Sequence, residues 1–196
     1  MTTARQLMTA EEFFDKYAGK KAELWYGEVR GIEPDGEGGA MAPVGHEHGR
    51  AVIEIGGALS TFAKEHTLGS VTSEVGFVLE RDPSVTVAPD IAFLEAAKLP
   101  AADRKSSYIQ GPPTLAVEVV SPGDSDQEVH AKVRLYLGHG VARVWVVRPT
   151  LASVTVHRPD GTAREILVDG ALTSDDAGFT LEGFVLPLGE IFPTEG

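Results

Sequence analysis

The segment from Thr114 to Val147, TLAVEVVSPGDSDQEVHAKVRLYLGHGVARVWVV, restricts what this chain can fold into more than any other part of it. Its first apolar run reads as a strand. Ser125 followed three residues later by Glu128 has the spacing of a capping box, and Val129, Val133, Tyr136 and Leu137 then line one side of a helix that ends at Gly138 and Gly140. ARVWVV follows at once as a second strand. A strand, helix and strand of these lengths predict a right-handed crossover between parallel strands, so a sheet with a helix packed on it is required.

Within that first strand, Glu118 interrupts the apolar residues. Alternation places Ala116, Glu118 and Val120 on one face and Leu115, Val117 and Val119 on the other. A carboxylate among small and apolar neighbours must be paired, hydrogen-bonded or bound to a metal, because an ionised group left bare in such surroundings is costly. An edge strand with Glu118 in solvent is the other reading.

Elsewhere, Thr9 and Glu12 form another capping box before a short helix with Phe13, Phe14 and Tyr17, ending near Gly19. AELWYGEVRGI predicts two strands about a tight turn at Gly27, and EPDGEGGA a loop. Val52, Ile55, Leu59 and Phe62 recur at helical spacing from His48 to about His66. SVTSEVGFVLE, SVTVAPDIAFLE and TLAVEVVS read as three successive strands at the centre of the sheet, the last reached through a loop rich in Lys, Ser and Pro. A hairpin about Pro159, Asp160 and Gly161 and an irregular tail complete the chain.

At 196 residues, with ordinary hydrophobic content, a single domain over 1–196 with its own core is expected. No run of about 18 apolar residues and no leader-like N-terminus is present, so export and membrane spanning are not expected and a cytoplasmic location fits best. The absence of cysteine excludes disulfides and thiolate metal sites. A net charge of -12 opposes a protein whose whole surface grips nucleic acid; such contact needs a local patch, a bound cation or a dimer cleft.

In APDIAFL, Pro89 breaks a strand and Asp90 follows it, so a second acid enters an apolar segment. Lys132 borders the buried stripe of its helix and can reach Glu118; pairing with Glu128 four residues earlier is the bland alternative. An Asp, a Glu on a neighbouring strand and a Lys suit phosphodiester hydrolysis. The carboxylates would hold Mg2+ (or Mn2+), and the lysine would orient water or offset charge in the transition state.

The ordered set MTAEEFFDKY, AELWYGEV, HEHGRAV, APDIAFL, PPTLAVEVVSPG, KVRLYLGHGVARVWVV and GEIF resembles the Uma two family of bacterial restriction-endonuclease-like proteins, over nearly the whole chain. The resemblance implies an α/β (α+β) restriction-endonuclease-like fold: a central mixed sheet flanked by helices, here with an extra C-terminal hairpin, and a PD-(D/E)xK active centre. It implies Asp90 and Glu118 as metal ligands, Glu23 as an additional acid near the site, Lys132 as the lysine in place of one at Val120, and His48 and Glu128 as supporting residues. It further implies a Mg2+-dependent endodeoxyribonuclease with DNA as partner, and a homodimer is expected from the habits of the fold.

Two rivals differ in kind. One is a nuclease-fold module without turnover that binds or regulates; the other is a metal-binding protein centred on His46 and His48. Two residues apart, these would face one way on a strand but diverge by about 200° on a helix. A helix-entry role near the acids is expected for His48.

Overall fold

Local signals set most of the elements. In the computed structural model, which describes residues 7–20, 22–31, 45–99 and 108–192, the hydroxyl of Thr9 accepts the Glu12 amide at 3.2 Å and the Glu12 carboxylate accepts the Thr9 amide at 2.9 Å. This box starts helix α1 (Ala10–Tyr17). Strands β1 (Glu23–Trp25) and β2 (Glu28–Arg30) follow, then helix α2 (His46–Glu65) and strands β3 (Gly69–Thr72), β4 (Phe77–Arg81), β5 (Ser84–Val87), β6 (Ile91–Glu95), β7 (Ile109–Gln110) and β8 (Leu115–Val119). The remainder is α3 (Asp126–Gly138), β9 (Arg143–Arg148), β10 (Ser153–His157), β11 (Ala163–Ile166), β12 (Ala171–Thr173), α4 (Ser174–Ala177), β13 (Val185–Pro187) and α5 (Leu188–Ile191). The EPDGEGGA loop and most of the Lys-, Ser- and Pro-rich loop lie outside the described residues.

The chain forms two compact units, interleaved in sequence. The first contains a five-stranded sheet ordered β2-β1-β5-β4-β7, with Phe13 and Tyr17 of α1 packed on Leu24. Its β1–β2 hairpin turns through Tyr26 and Gly27 at φ of 53° and 79°, as a two-residue hairpin loop requires. A side chain at Gly27 would also collide with Leu7, 2.5 Å from the Cβ position.

The second unit holds a six-stranded mixed sheet ordered β11-β10-β9-β8-β6-β3. Strands β8 and β9 run parallel around α3, as the crossover pattern demands, and the other pairs are antiparallel. Leu115, Val117 and Val119 of β8 pack with Ala51, Ile55, Leu59 and Ala63 of α2, together with Trp145 and Val147 of β9. Each fully buried Ile or Leu contributes about 1.5–3 kcal/mol. Helix α2 begins at His46, two residues earlier than expected, and its buried stripe runs through Ala51 and Ala63, with Val52 and Phe62 at its margin.

The three-strand reading of 70–121 is corrected. Each of the first two segments splits, at Ser73–Gly76 and at Ala88–Asp90, and its halves enter different sheets. Proline cannot donate to a ladder, and Glu74 turns at φ 55°, so neither segment can continue as one strand. β3 is an edge strand, whereas β8 lies between β6 and β9.

Near the C-terminus, Asp175 and Asp176 of α4 gather arginines from three places. Arg143 and Arg158 reach Asp175 at 2.9 and 2.6 Å, and Arg164 grips both oxygens of the wholly buried Asp176 at 2.6 Å. The arginine hydrogen bonds hold the Asp175 carboxyl below the usual range. Burial pushes that of Asp176 up, but the hydrogen bonds from Arg164 and Thr173 outweigh it and the net direction is down.

Candidate active site

β8 has an acid in an apolar strand because its two faces meet different helices. Its odd-numbered residues face α2, and Glu118 faces α3. There Lys132 donates to Oε2 at 2.8 Å and the buried Tyr136 hydroxyl donates to Oε1 at 2.6 Å. The edge-strand reading of Glu118 falls, since β8 has a strand on each side and this side chain is 13% exposed. Glu128 caps α3, accepting from the Ser125 hydroxyl and amide at 2.6 and 3.2 Å, which lowers its pKa, while the Lys132 ammonium is on Glu118.

Asp90 enters from the neighbouring strand. Ile91 pairs with Val117 in antiparallel register, so one step further Asp90 lies opposite Glu118, where β6 starts and β8 ends. Its Oδ2 accepts the Val119 amide at 2.7 Å. Pro89 has the role its chemistry allows: it interrupts the ladder just before the strand, and the Asp90 carboxylate takes up a main-chain donor at that point. The other oxygen faces Nε2 of His48 at 3.7 Å, and Nδ1 of His48 is 3.1 Å from the Ser121 hydroxyl.

The structure thus places Asp90 just before β6 and Glu118 near the end of β8, one register step beyond the Ile91–Val117 pair, with Lys132 on Glu118 and His48 beside Asp90. Val120 continues the ladder through its amide to the Val147 carbonyl, so the ammonium beside Glu118 comes from α3 and not from the strand. Glu23 belongs to the other unit, where its carboxylate accepts from the Trp25 indole at 2.9 Å and the Ala88 amide at 3.5 Å. His46 is exposed while His48 is buried, so the two do not share an environment. Ser121 and the Tyr136 hydroxyl escaped the sequence reading. Tyr136 looks like a core residue at its helical spacing, and nothing local links Ser121 to a histidine 73 residues away.

A divalent cation is the group this fold implies, and the donor set fits it. Mg2+ and Mn2+ prefer hard oxygens, and Mg2+ is commonly held by one or two carboxylates, its other positions left to water and substrate. Two carboxylates on adjacent chain segments, Asp90 and Glu118, are the oxygens such an ion would use. Among the described residues no group of three or more His, Asp or Glu side chains is placed to hold a metal, which gives no support to a histidine-centred cage. No helix among the described residues is long and apolar enough to cross a membrane.

Comparison with known proteins agrees with this architecture. A solved structure from Anabaena variabilis ATCC 29413, described as a "putative nuclease belonging to DUF820", superposes with a TM-score of 0.73 at 18% identity, covering 94% of this chain and 97% of that one. At that identity the match shows the fold alone, which is mixed α+β. No curated protein matches the chain. The model of the Uma2 family, described as "Putative restriction endonuclease", matches residues 11–189. With nearly its whole length so matched, the chain belongs to the Uma2 family of restriction-endonuclease-like proteins.

Proposed function

We propose that this protein is a divalent-metal-dependent nuclease that hydrolyses phosphodiester bonds of DNA. The observation that carries the reading is the pair of acids, Asp90 just before β6 and Glu118 near the end of β8, one register step beyond the Ile91–Val117 pair, with the Lys132 ammonium 2.8 Å from Glu118. Family membership supports a nuclease as the class of activity.

Asp90 and Glu118 would hold Mg2+ or Mn2+; when bound, such an ion polarises the phosphoryl group and makes its water more acidic. The amide of Val119 and the hydroxyl of Tyr136 fix the two carboxylates, limiting the reorganisation needed on binding. Lys132, tied to Glu118, orients the attacking water or offsets negative charge as it grows on the phosphoryl oxygens. The water oxygen bonds to phosphorus as the ester bond on the opposite side breaks; the water loses a proton and the departing alkoxide gains one.

The net charge of -12 is compatible with DNA as substrate if a cation at the acids and a two-chain cleft provide local attraction, so we place the protein as a homodimer in the cytoplasm. Because the chain crosses between its two compact units several times, neither is one continuous segment, and this supports a single restriction-endonuclease-like domain over 1–196. Glu128, which caps α3, remains a supporting residue within this proposal. The acidic charge also favours a second reading, a nuclease fold that binds without turnover.

Plasmid nicking by the purified protein in Mg2+ or Mn2+ tests the proposal. Wild type should nick, and Asp90→Ala and Glu118→Ala should not; equal cleavage by all three would reject the site. Calorimetry that finds no Mg2+ or Mn2+ binding at millimolar concentration, together with no retention of DNA, would favour the binding-only module with a protein partner.

A further inference from the structure

The Asp90 carboxylate is held at both ends, and one of those holds passes through a third residue. We propose that Ser121 is a positioning residue: it sets the His48 ring so that the imidazole keeps Asp90 in place for the cation. The inference rests on the nuclease reading, in which Asp90 is a ligand.

The chain of contacts is Ser121 Oγ to His48 Nδ1 at 3.1 Å, His48 Nε2 to Asp90 Oδ1 at 3.7 Å, and Asp90 Oδ2 to the Val119 amide at 2.7 Å. A neutral imidazole has one N–H. With the proton on Nε2, the ring presents its positive edge to the carboxylate; with the proton on Nδ1, a lone pair would face that negative charge. The Asp90 carboxylate favours the Nε2–H form, and the serine hydroxyl, which can donate or accept, meets the bare Nδ1 as a donor and so holds that tautomer and the ring plane. His48 is 8% exposed, so water is poorly placed to replace the hydroxyl.

The arrangement spans three elements. His48 lies in the first turn of α2, Asp90 just before β6, and Ser121 just after β8. Hydrogen bonds to the far nitrogen of a histidine commonly fix its tautomer and ring orientation in this way. Ser121 also has a main-chain task, its amide donating to Asp124 Oδ2 at 2.7 Å, which closes the turn after the strand. Removing the hydroxyl leaves that amide untouched, so Ser121→Ala separates the side chain's role from the turn's.

The test uses the full chain as wild type, Ser121→Ala and Ser121→Thr, the last restoring a hydroxyl. Two quantities are measured: nitrogen NMR of the His48 ring under mildly alkaline conditions, identified by its loss in His48→Gln, and Mn2+ affinity by calorimetry. The expected result is an Nε2–H tautomer in wild type, a mixed or inverted tautomer in Ser121→Ala with Mn2+ bound about tenfold more weakly, and recovery of both in Ser121→Thr. A wild-type Nδ1–H tautomer, or a tautomer that ignores Ser121→Ala, overturns the proposal. So does a tautomer change with Mn2+ affinity unaltered, since the hydroxyl would then only satisfy a buried ring. Wild type that binds no Mn2+ brings down the nuclease reading and this role together, a result distinct from the others.

Discussion

The six-stranded unit contains two acidic centres built on opposite terms. At α4, Asp175 and Asp176 are met by the guanidinium groups of Arg143, Arg158 and Arg164, and the buried Asp176 also accepts from the amide and hydroxyl of Thr173 at 2.9 Å. At the ends of β6 and β8, the donors to Asp90 and Glu118 include a main-chain amide and a phenol as well as Lys132. Guanidinium forks offset the charge of both α4 acids while fixing them; at the second centre Lys132 offsets Glu118, while Asp90 accepts from a neutral main-chain amide. The first arrangement fastens a helix to a hairpin, and under the proposed function the second holds two acids for a cation.

This contrast can be broken most directly by removing one acid from each centre. Asp90→Ala or Glu118→Ala should lower plasmid nicking by at least about 100-fold, a loss typical of deleted groups that stabilise a transition state. Their unfolding midpoints should change far less than that of Asp176→Ala. The latter should lose about 3 kcal/mol in urea unfolding, because Arg158 and Arg164 are left beside a vacated buried site, while nicking per folded molecule stays within about twofold. Exchanged outcomes, with stability lost at Asp90 and activity lost at Asp176, would invert the two roles.

A smaller effect is expected from Tyr136→Phe, which keeps the ring and deletes the donor to Glu118 Oε1. Loss of about 1–2 kcal/mol and weaker Mn2+ binding by calorimetry should accompany it. Unchanged Mn2+ affinity would show that the phenol serves packing alone.

Titration sharpens the comparison further. Both α4 aspartates have pKa values lowered from 3.8 in the fold, so the unfolded chain takes up protons first as pH falls. Their stabilisation is complete above the unfolded value and is lost as pH drops through the lower folded one. Acid unfolding followed by circular dichroism should therefore flatten below about pH 4 in Asp175→Asn. The least effect is expected at His157, whose pKa burial lowers, with His130 and Arg148 adding to it. The fold favours its neutral ring, so acidification through the ordinary histidine range should cost a little stability, and His157→Gln should remove that slope.

Much of this was legible in the sequence where a local rule governs. The capping boxes at Thr9 and Ser125, the turn at Gly27 and the crossover around α3 each follow from a few neighbouring residues. Glu118 and Asp90 stood out because each breaks an apolar pattern, and the family resemblance strengthened both, along with Lys132. The division into two sheets was hidden, since Val85 and Phe93 have the same strand-forming character although they belong to different sheets. The partners of Asp175 and Asp176 were hidden for another reason: Arg143, Arg158 and Arg164 read as ordinary surface charges until β9 and the β10–β11 hairpin bring them together.

Strand β8 turns its odd residues to the oily interior and Glu118 to Lys132 and Tyr136. That economy leaves it no tolerance for misalignment. Insertion or deletion of one residue among 115–119 would swap the two sides along the rest of the strand, sinking a carboxylate into the hydrocarbon beneath α2 and presenting valine to Lys132 and Tyr136. In this molecule the spacing that keeps the interior dry is the same spacing that aims the acid.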